Sequence, residues 1–195
     1  MHRLILTGLF ALAAAPAPVL AQAQPPAAPG AQPLGGALIP GLCLLSQQAV
    51  YANAKIGLAA TARIKQLSDQ AQAEVDADRA VLEKDAKALD ADTKIKPADK
   101  TARAQALNIR MQGLQAKADL RSREIESTRQ KVQARIGVEE TPIIGQVYTA
   151  HKCGLLIDRT PVLGGNMGGD LTAEVVKGLD AKATTISFDR DILPK

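Results

Sequence analysis

Between Gln47 and about Ile136 the chain is charged and alanine-rich, with almost no glycine, one interior proline and no aromatic residue after Tyr51. Apolar side chains recur there at the spacing of a single helical face. On the outgoing half they are Ala60, Ile64, Leu67, Ala71, Val75, Leu82, Ala86 and Leu89, stepping by fours and threes with one turn skipped at Asp78. On the return they are Leu107, Met111, Leu114, Ala118, Ile125, Val132 and Ile136, with breaks at Arg121 and at Thr128 or Arg129. Charged residues fill the other faces, among them Asp76, Asp78, Glu83, Lys84, Asp85 and Lys87 outward, and Arg110, Lys117, Arg121, Arg123, Glu124 and Glu126 on the way back. Two such stripes in succession make an antiparallel two-helix coil.

The turning point is Thr93-Lys94-Ile95-Lys96-Pro97-Ala98-Asp99-Lys100. Proline fixes φ, cannot donate to the helix ladder and steers the residue before it out of the α region, so one helix ends near Thr93 and the next begins near Pro97. At about 1.5 Å per residue each arm helix is expected to be on the order of 65 Å long. A core of this chain's size cannot enclose such an arm, so its tip lies in water or on a partner. The tip carries Lys94, Lys96, Lys100 and Arg103 against Asp99. These basic residues are either solubilising or a contact for acidic protein segments or anionic lipid headgroups.

Two short apolar pieces bracket the arm, Leu42-Cys43-Leu44-Leu45 and Leu155-Leu156-Ile157-Asp158, and both read as strands. A strand that enters a hairpin and one that leaves it are expected to run antiparallel. Ile143, Ile144, Val147 and Tyr148 extend helix from about Thr141 to Lys152, with a kink expected at Gly137 and Pro142. After the Leu155 strand come a turn at Arg159-Thr160-Pro161, a second strand at Val162-Leu163 and a glycine-rich loop, Gly164 to Gly169. Asp170 then caps a helix from Leu171 to Ala181 with Leu171, Val175, Val176 and Leu179 inward. The expected fold is mostly α: a long helical hairpin projecting from a small, short-stranded β body. The body comprises 39–46 and 153–181, the arm 47–150 with its tip at 93–100, and 182–195 is a C-terminal extension. Very few aromatic residues are available to fill a compact core, which again favours an elongated molecule that completes its core by oligomerising.

The formal net charge of +4 is a mild basic excess, and its distribution is more telling. Acids slightly outnumber bases from Gln47 to Asp92, whereas bases outnumber acids more than twofold from Lys94 to Arg135. Helices of opposite sign pair along their flanks. That explains the asymmetry without nucleic acid, for which the aromatic interleaving that stacks bases is missing.

The N-terminus reads as an address. Met1-His2-Arg3 is a short basic start, Leu4 to Ala15 an apolar run, and Val19 to Ala23 a small-residue exit, so residues 1–23 are expected to be a cleaved secretory signal, with an uncleaved anchor as the alternative. Residues 24–38 then form a proline- and alanine-rich flexible leader. In an exported chain the isolated pair Cys43 and Cys153 most often forms a disulfide, here around a loop of about 110 residues. The expected antiparallel strands need not bring these cysteines opposite each other, which leaves two free buried thiols or a bond between subunits as alternatives. The spacing excludes a CxxC redox motif, and the histidine that remains, His151, leaves zinc short of ligands.

The order of elements resembles the Skp (OmpH-like) family of periplasmic chaperones. The shared features are a secretory signal, a short strand running into a long arm (Gly41 to Tyr51), a charged helical hairpin, the Leu-Leu-Ile-Asp strand, a second strand, and a last helix opening Asp170-Leu171-Thr172-Ala173-Glu174-Val175-Val176. The C-terminal block from Leu155 to Leu179 is the most specific part. The resemblance implies a homotrimer whose strands assemble a small β body, with three arms enclosing a cavity for unfolded outer-membrane proteins. It departs from the family pattern in the long Pro/Ala leader, the glycine-rich loop, the cysteine pair and the continuation from Lys182 to Lys195. The function expected is an ATP-independent periplasmic holdase, with a structural or adaptor coiled coil of the envelope as the rival. An enzyme is not expected, and neither is a cofactor. No serine or cysteine sits in a nucleophile motif, and the Gly164 to Gly169 run lacks the lysine of a P-loop and the spacing of a dinucleotide fingerprint.

Overall fold

The computed structural model describes residues 35–194, so the signal and most of the leader lie outside the described residues. The chain enters through β1 (Leu42–Leu45) and a short helix α1 (Gln47–Asn53). Ser46 starts α1 by accepting a hydrogen bond from the Ala49 backbone N–H, as a serine N-cap does. The outgoing arm is α2 (Lys55–Ala91), and after a short turn α3 (Pro97–Ala150) brings the chain back. β2 (Leu155–Asp158), a single 3-10 turn (Met167–Gly169) and α4 (Thr172–Lys182) complete the body.

The chain bends between α1 and α2 at Ala54, whose backbone is extended. The bend brings Gly57 against the Tyr51 carbonyl oxygen, so closely that a Cβ at residue 57 would lie 1.9 Å from it. Only glycine fits there.

The two arm helices are unequal, about 55 Å and about 80 Å at the helical rise. That inequality corrects the expected strand direction: β1 and β2 pair in parallel, Leu42 opposite Leu155 and Leu45 opposite Asp158. Helix α3 carries the chain beyond the sheet before it turns, so β2 must run back in the direction of β1. The turn is a Schellman motif, in which the Lys152 N–H donates to the Thr149 carbonyl and the Cys153 N–H to that of Tyr148. Lys152 takes the left-handed conformation there, φ 53°, where glycine is usual. The same turn sets Cys153 beside β1, and its sulfur is bonded to that of Cys43 with the Cα atoms 5.8 Å apart.

Two further expectations are corrected. Helix α3 runs unbroken through Gly137 and Pro142. The carbonyl that Pro142 leaves without its helical donor is that of Val138, an exposed residue where water can replace the bond. Val162 and Leu163 form no strand: Val162 closes a turn onto the Arg159 carbonyl and Leu163 is fully exposed. The position beside β1 is taken by one parallel bridge from Leu44 to Asp170, with the Leu171 N–H donating to the Leu44 carbonyl. The Asp170 carboxylate accepts from the Thr172 N–H and pairs with Arg159. Burial alone would raise its pKa, yet the bonds from Thr172 and Arg159 hold it below the usual carboxylate value.

The body core is Cys43, Leu45, Val50, Ile56, Val132, Ile136, Ile143, Leu171, Val175 and Leu179 with the disulfide partner Cys153, and Tyr51 and Tyr148 flank it. Val176, expected inward, is half-buried against this core. Glu140 is buried with one carboxylate oxygen unpartnered among the described residues, and burial pushes its pKa up.

Candidate functional site

The arm is the feature that sequence singles out for function, and its geometry has two distinct parts. In the proximal part Ile64, Leu67, Ala71 and Ile125 form one apolar cluster; further out Val75, Leu82 and Leu114 form another, flanked by Leu107 and Ala118. The buried outgoing stripe is the expected one, apart from Ala86, which is half-buried. Met111 departs from expectation: it is 51% exposed. Between Leu82 and Leu89 the stripe of α2 offers only Ala86, which is too short to cover it. Val81 (51%) and Ile109 (68%) are exposed on the same distal half.

Three ion pairs cross the coil. Arg110 meets Asp85 at 2.6 Å, Lys117 meets Asp78 at 2.7 Å, and Arg121 meets Glu74 at 2.7 Å. The acids sit on α2 and the bases on α3, which is the flank pairing that the charge asymmetry demands. Asp78, at the skipped turn of the apolar stripe, thereby finds its partner across the coil rather than in water alone.

Glu124 overturns its expected place on an outer face, because it is only 1% exposed. Arg121 Nη1 donates to Glu124 Oε2 at 2.8 Å, and Arg190 Nε lies 3.3 Å from the same oxygen. Arg190 Nη1 also donates to Glu74 Oε1 at 2.9 Å. Desolvation acts to raise the Glu74 pKa, but the bonds and charges of Arg190 and Arg121 outweigh it and hold the carboxyl below its ordinary value. The Glu74 bond in turn raises the pKa of Arg121. The arginine that completes this cluster comes from the C-terminal extension, so the burial of Glu124 had no local signal. Sequence reading left residues 182–195 without a place. Their Ile186-Ser187-Phe188-Asp189 run alternates apolar and polar residues, the one hint that the segment lies against something.

At the far end, Lys94, Lys96, Lys100 and Arg103 are all exposed around the turn. The Lys94 N–H donates to the Asp92 carboxylate and the Lys100 N–H to the Lys96 carbonyl, so the turn is held through the lysines' main-chain N–H groups and not their side chains. Arg103 sits further up, beside a shallow groove with Asp85, Leu89, Asp92 and Arg110, and so faces acidic neighbours that the three lysines do not. His151 lies at the body end of α3, where its Nε2 is 2.8 Å from Glu174. No group of three metal-ligating side chains is assembled among the described residues, and no described helix is long and apolar enough to cross a membrane.

The sequence profile of the family described as outer membrane protein (OmpH-like) matches residues 42–179. The chain belongs to the OmpH-like family. A solved structure described as a candidate outer membrane chaperone (OmpH-like), from Caulobacter crescentus CB15, is similar to this OmpH-like chain at 37% identity with a TM-score of 0.75, covering 83% of this chain and 96% of its own. No curated protein gives a significant match. The OmpH-like profile stops within α4, so the segment that buries Glu124 lies outside it.

Proposed function

We propose that this OmpH-like chain is an ATP-independent periplasmic holdase that binds unfolded outer-membrane proteins among helical arms and keeps them from aggregating. The observation that carries the reading is the distal arm. Beyond Glu74 and Arg121 two thin helices reach away from the body and display Val81, Ile109 and Met111 among charged side chains. An unfolded barrel precursor exposes alternating apolar side chains and self-associates in water. Small, scattered apolar contacts on a charged rod hold such a chain weakly and at many points, and methionine adapts to varied partners. Several arms on one client raise the effective concentration of each contact.

The oligomer we propose is a homotrimer joined through the body. It is supported by the outer edge of β2, which has no strand partner among the described residues, and by Ile39, Leu155 and Leu163, which are exposed in the body. The Cys43–Cys153 bond suits an oxidising compartment. Residues 1–23 would then be the export signal, 24–38 a flexible leader, and the lysines of the tip a contact for anionic lipid headgroups. The holding reaction needs neither a catalytic group nor a cofactor.

Light scattering tests the reading. When an unfolded outer-membrane barrel is diluted from urea, stoichiometric suppression of aggregation is expected. No suppression at threefold trimer excess overturns the holdase in favour of an envelope adaptor. Sedimentation tests the trimer separately, with a stable monomer as the contrary result.

A further inference from the structure

After α4 the chain takes up no helix or strand, yet residues 183–194 are seated along the proximal arm as an extended strap. Ile186, Phe188 and Arg190 turn inward and are half-buried, while Ser187 and Asp189 between them are exposed. Phe188 packs both on the body core and on the Ile64, Leu67, Ala71 and Ile125 cluster.

The decisive feature is how the strap's backbone is held. Arg135 Nη1 donates to the Ser187 carbonyl at 3.2 Å and Arg63 Nε to the Phe188 carbonyl at 3.3 Å. The Asp191 N–H donates to Thr128 Oγ1 at 2.8 Å, and the Leu193 N–H to Glu124 Oε1 at 3.4 Å. Side chains from both arm helices thus read the main chain of an extended segment, donors to its carbonyls and acceptors to its N–H groups. That mode of recognition does not depend on the segment's own sequence, which is what peptide grooves exploit. Side-chain preferences are laid over it. There is an apolar seat for Phe188, an acidic one for the cation two residues on, and Lys131 at 2.6 Å with Ser127 at 2.5 Å for the following carboxylate.

We propose that the strap is the resident occupant of a peptide-binding site, and that an extended segment of an unfolded client takes the same seat when the strap leaves. The inference rests on the holdase reading and gives it a location. The ligand class is an extended polypeptide with an apolar side chain followed at the second position by a cation, a spacing that puts both on one face of a strand. In a barrel strand, whose period-two alternation keeps one face apolar, such a pair arises where that apolar band ends at a basic residue. Exchange is feasible because the pairs that Asp189 and Asp191 make with Arg63 and Lys131 are partly exposed and individually weak. The tether to α4 keeps the strap's local concentration at roughly millimolar, so a free peptide competes poorly with it, whereas a client already held at other arms does not face that handicap.

The test uses the chain cut after Ala183, the full chain, and a labelled synthetic peptide of residues 184–194. Fluorescence anisotropy is expected to show the peptide binding the cut chain at least about tenfold more tightly than the full chain, and an unfolded barrel protein displacing it. The cut chain should also bind that barrel protein about threefold or more tightly than the full chain does. If the cut chain keeps its helices by circular dichroism but fails to bind the peptide, or binds client without releasing the peptide, the proposal is overturned. Should the cut chain fail to fold, the full-length Arg190→Glu variant decides: it loosens the strap in place, and unchanged client affinity overturns the proposal. Absence of client binding by every chain would defeat the holdase reading instead, and the client's claim on the seat with it, while the peptide arm still reports whether the strap exchanges.

Discussion

The proximal and distal halves of the arm are built from the same two helices and behave as different materials. Proximally, a third segment covers the coil, the seam holds Ile64, Leu67, Ala71 and Ile125, and a glutamate is buried between two guanidinium groups. Distally the seam thins to Val75, Leu82 and Leu114, and the ion pairs lie open to solvent. A two-helix coil alone cannot bury both faces of its seam, so order in such a rod depends on what else lies on it. The contrast places stiffness near the body and compliance near the tip, as the proposed holding function would require of an arm.

The strongest way to break this contrast is to cut the same side chain from each half. Leu67→Ala is expected to cost about 2 to 4 kcal/mol, because the strap and both helices leave a cavity that cannot collapse. Leu82→Ala should cost roughly half as much, since a thin rod can close over the gap. Urea unfolding of the two variants measures the difference, and equal losses would erase the distinction.

A smaller effect is expected from the charges. Glu124→Gln leaves Arg121 and Arg190 with Glu74 as their one shared carboxylate and should cost about 1 to 3 kcal/mol. Asp85→Asn, in an exposed pair, should cost under about 0.5 kcal/mol. A double-mutant cycle with Arg190 sharpens the point, because coupling is expected at Glu124 and none at Asp85.

The smallest effect is the pH dependence of the strap. Bonds from Lys131 and Ser127 hold the Asp191 carboxyl below its ordinary value, and Arg190 and Arg121 do the same for Glu74 against desolvation. With folded pKa values lowered, the folded chain binds fewer protons, so this stability is present above the ordinary carboxylate values of about 4 and disappears as pH falls through the lowered ones. The difference in melting temperature between the native chain and Asp191→Asn should therefore be open at pH 6 and shrink progressively as pH falls below about 4.

Much of the arm was legible because its information is local. The recurrence of Ile64, Leu67, Ala71 and Val75 defines a buried face, and Pro97 marks where the return helix starts. The direction of β2 was not legible, since it depends on how far α3 passes the sheet, and no residue of the strand records that. Val162 and Leu163 look like a strand by composition, but Asp170 already occupies the place beside Leu44. The strap was hidden for a related reason: a short alternating segment such as Ile186 to Arg190 states that it has two faces and says nothing of where its partner is. Glu124 then became unreadable in turn, because its cover comes from the far end of the chain.

The three rungs across the coil have a consequence for its alignment. The acids Glu74, Asp78 and Asp85 are separated by four and then seven residues, and the bases Arg121, Lys117 and Arg110 repeat those gaps in reverse. As on a measuring stick whose marks never share the same interval, any sliding of one rod along the other can bring at most one of these three acids level with one of these three bases. Bonds that are each feeble thus act together as a vernier, and the hairpin can flex, fray or bow while having a single position to which it returns.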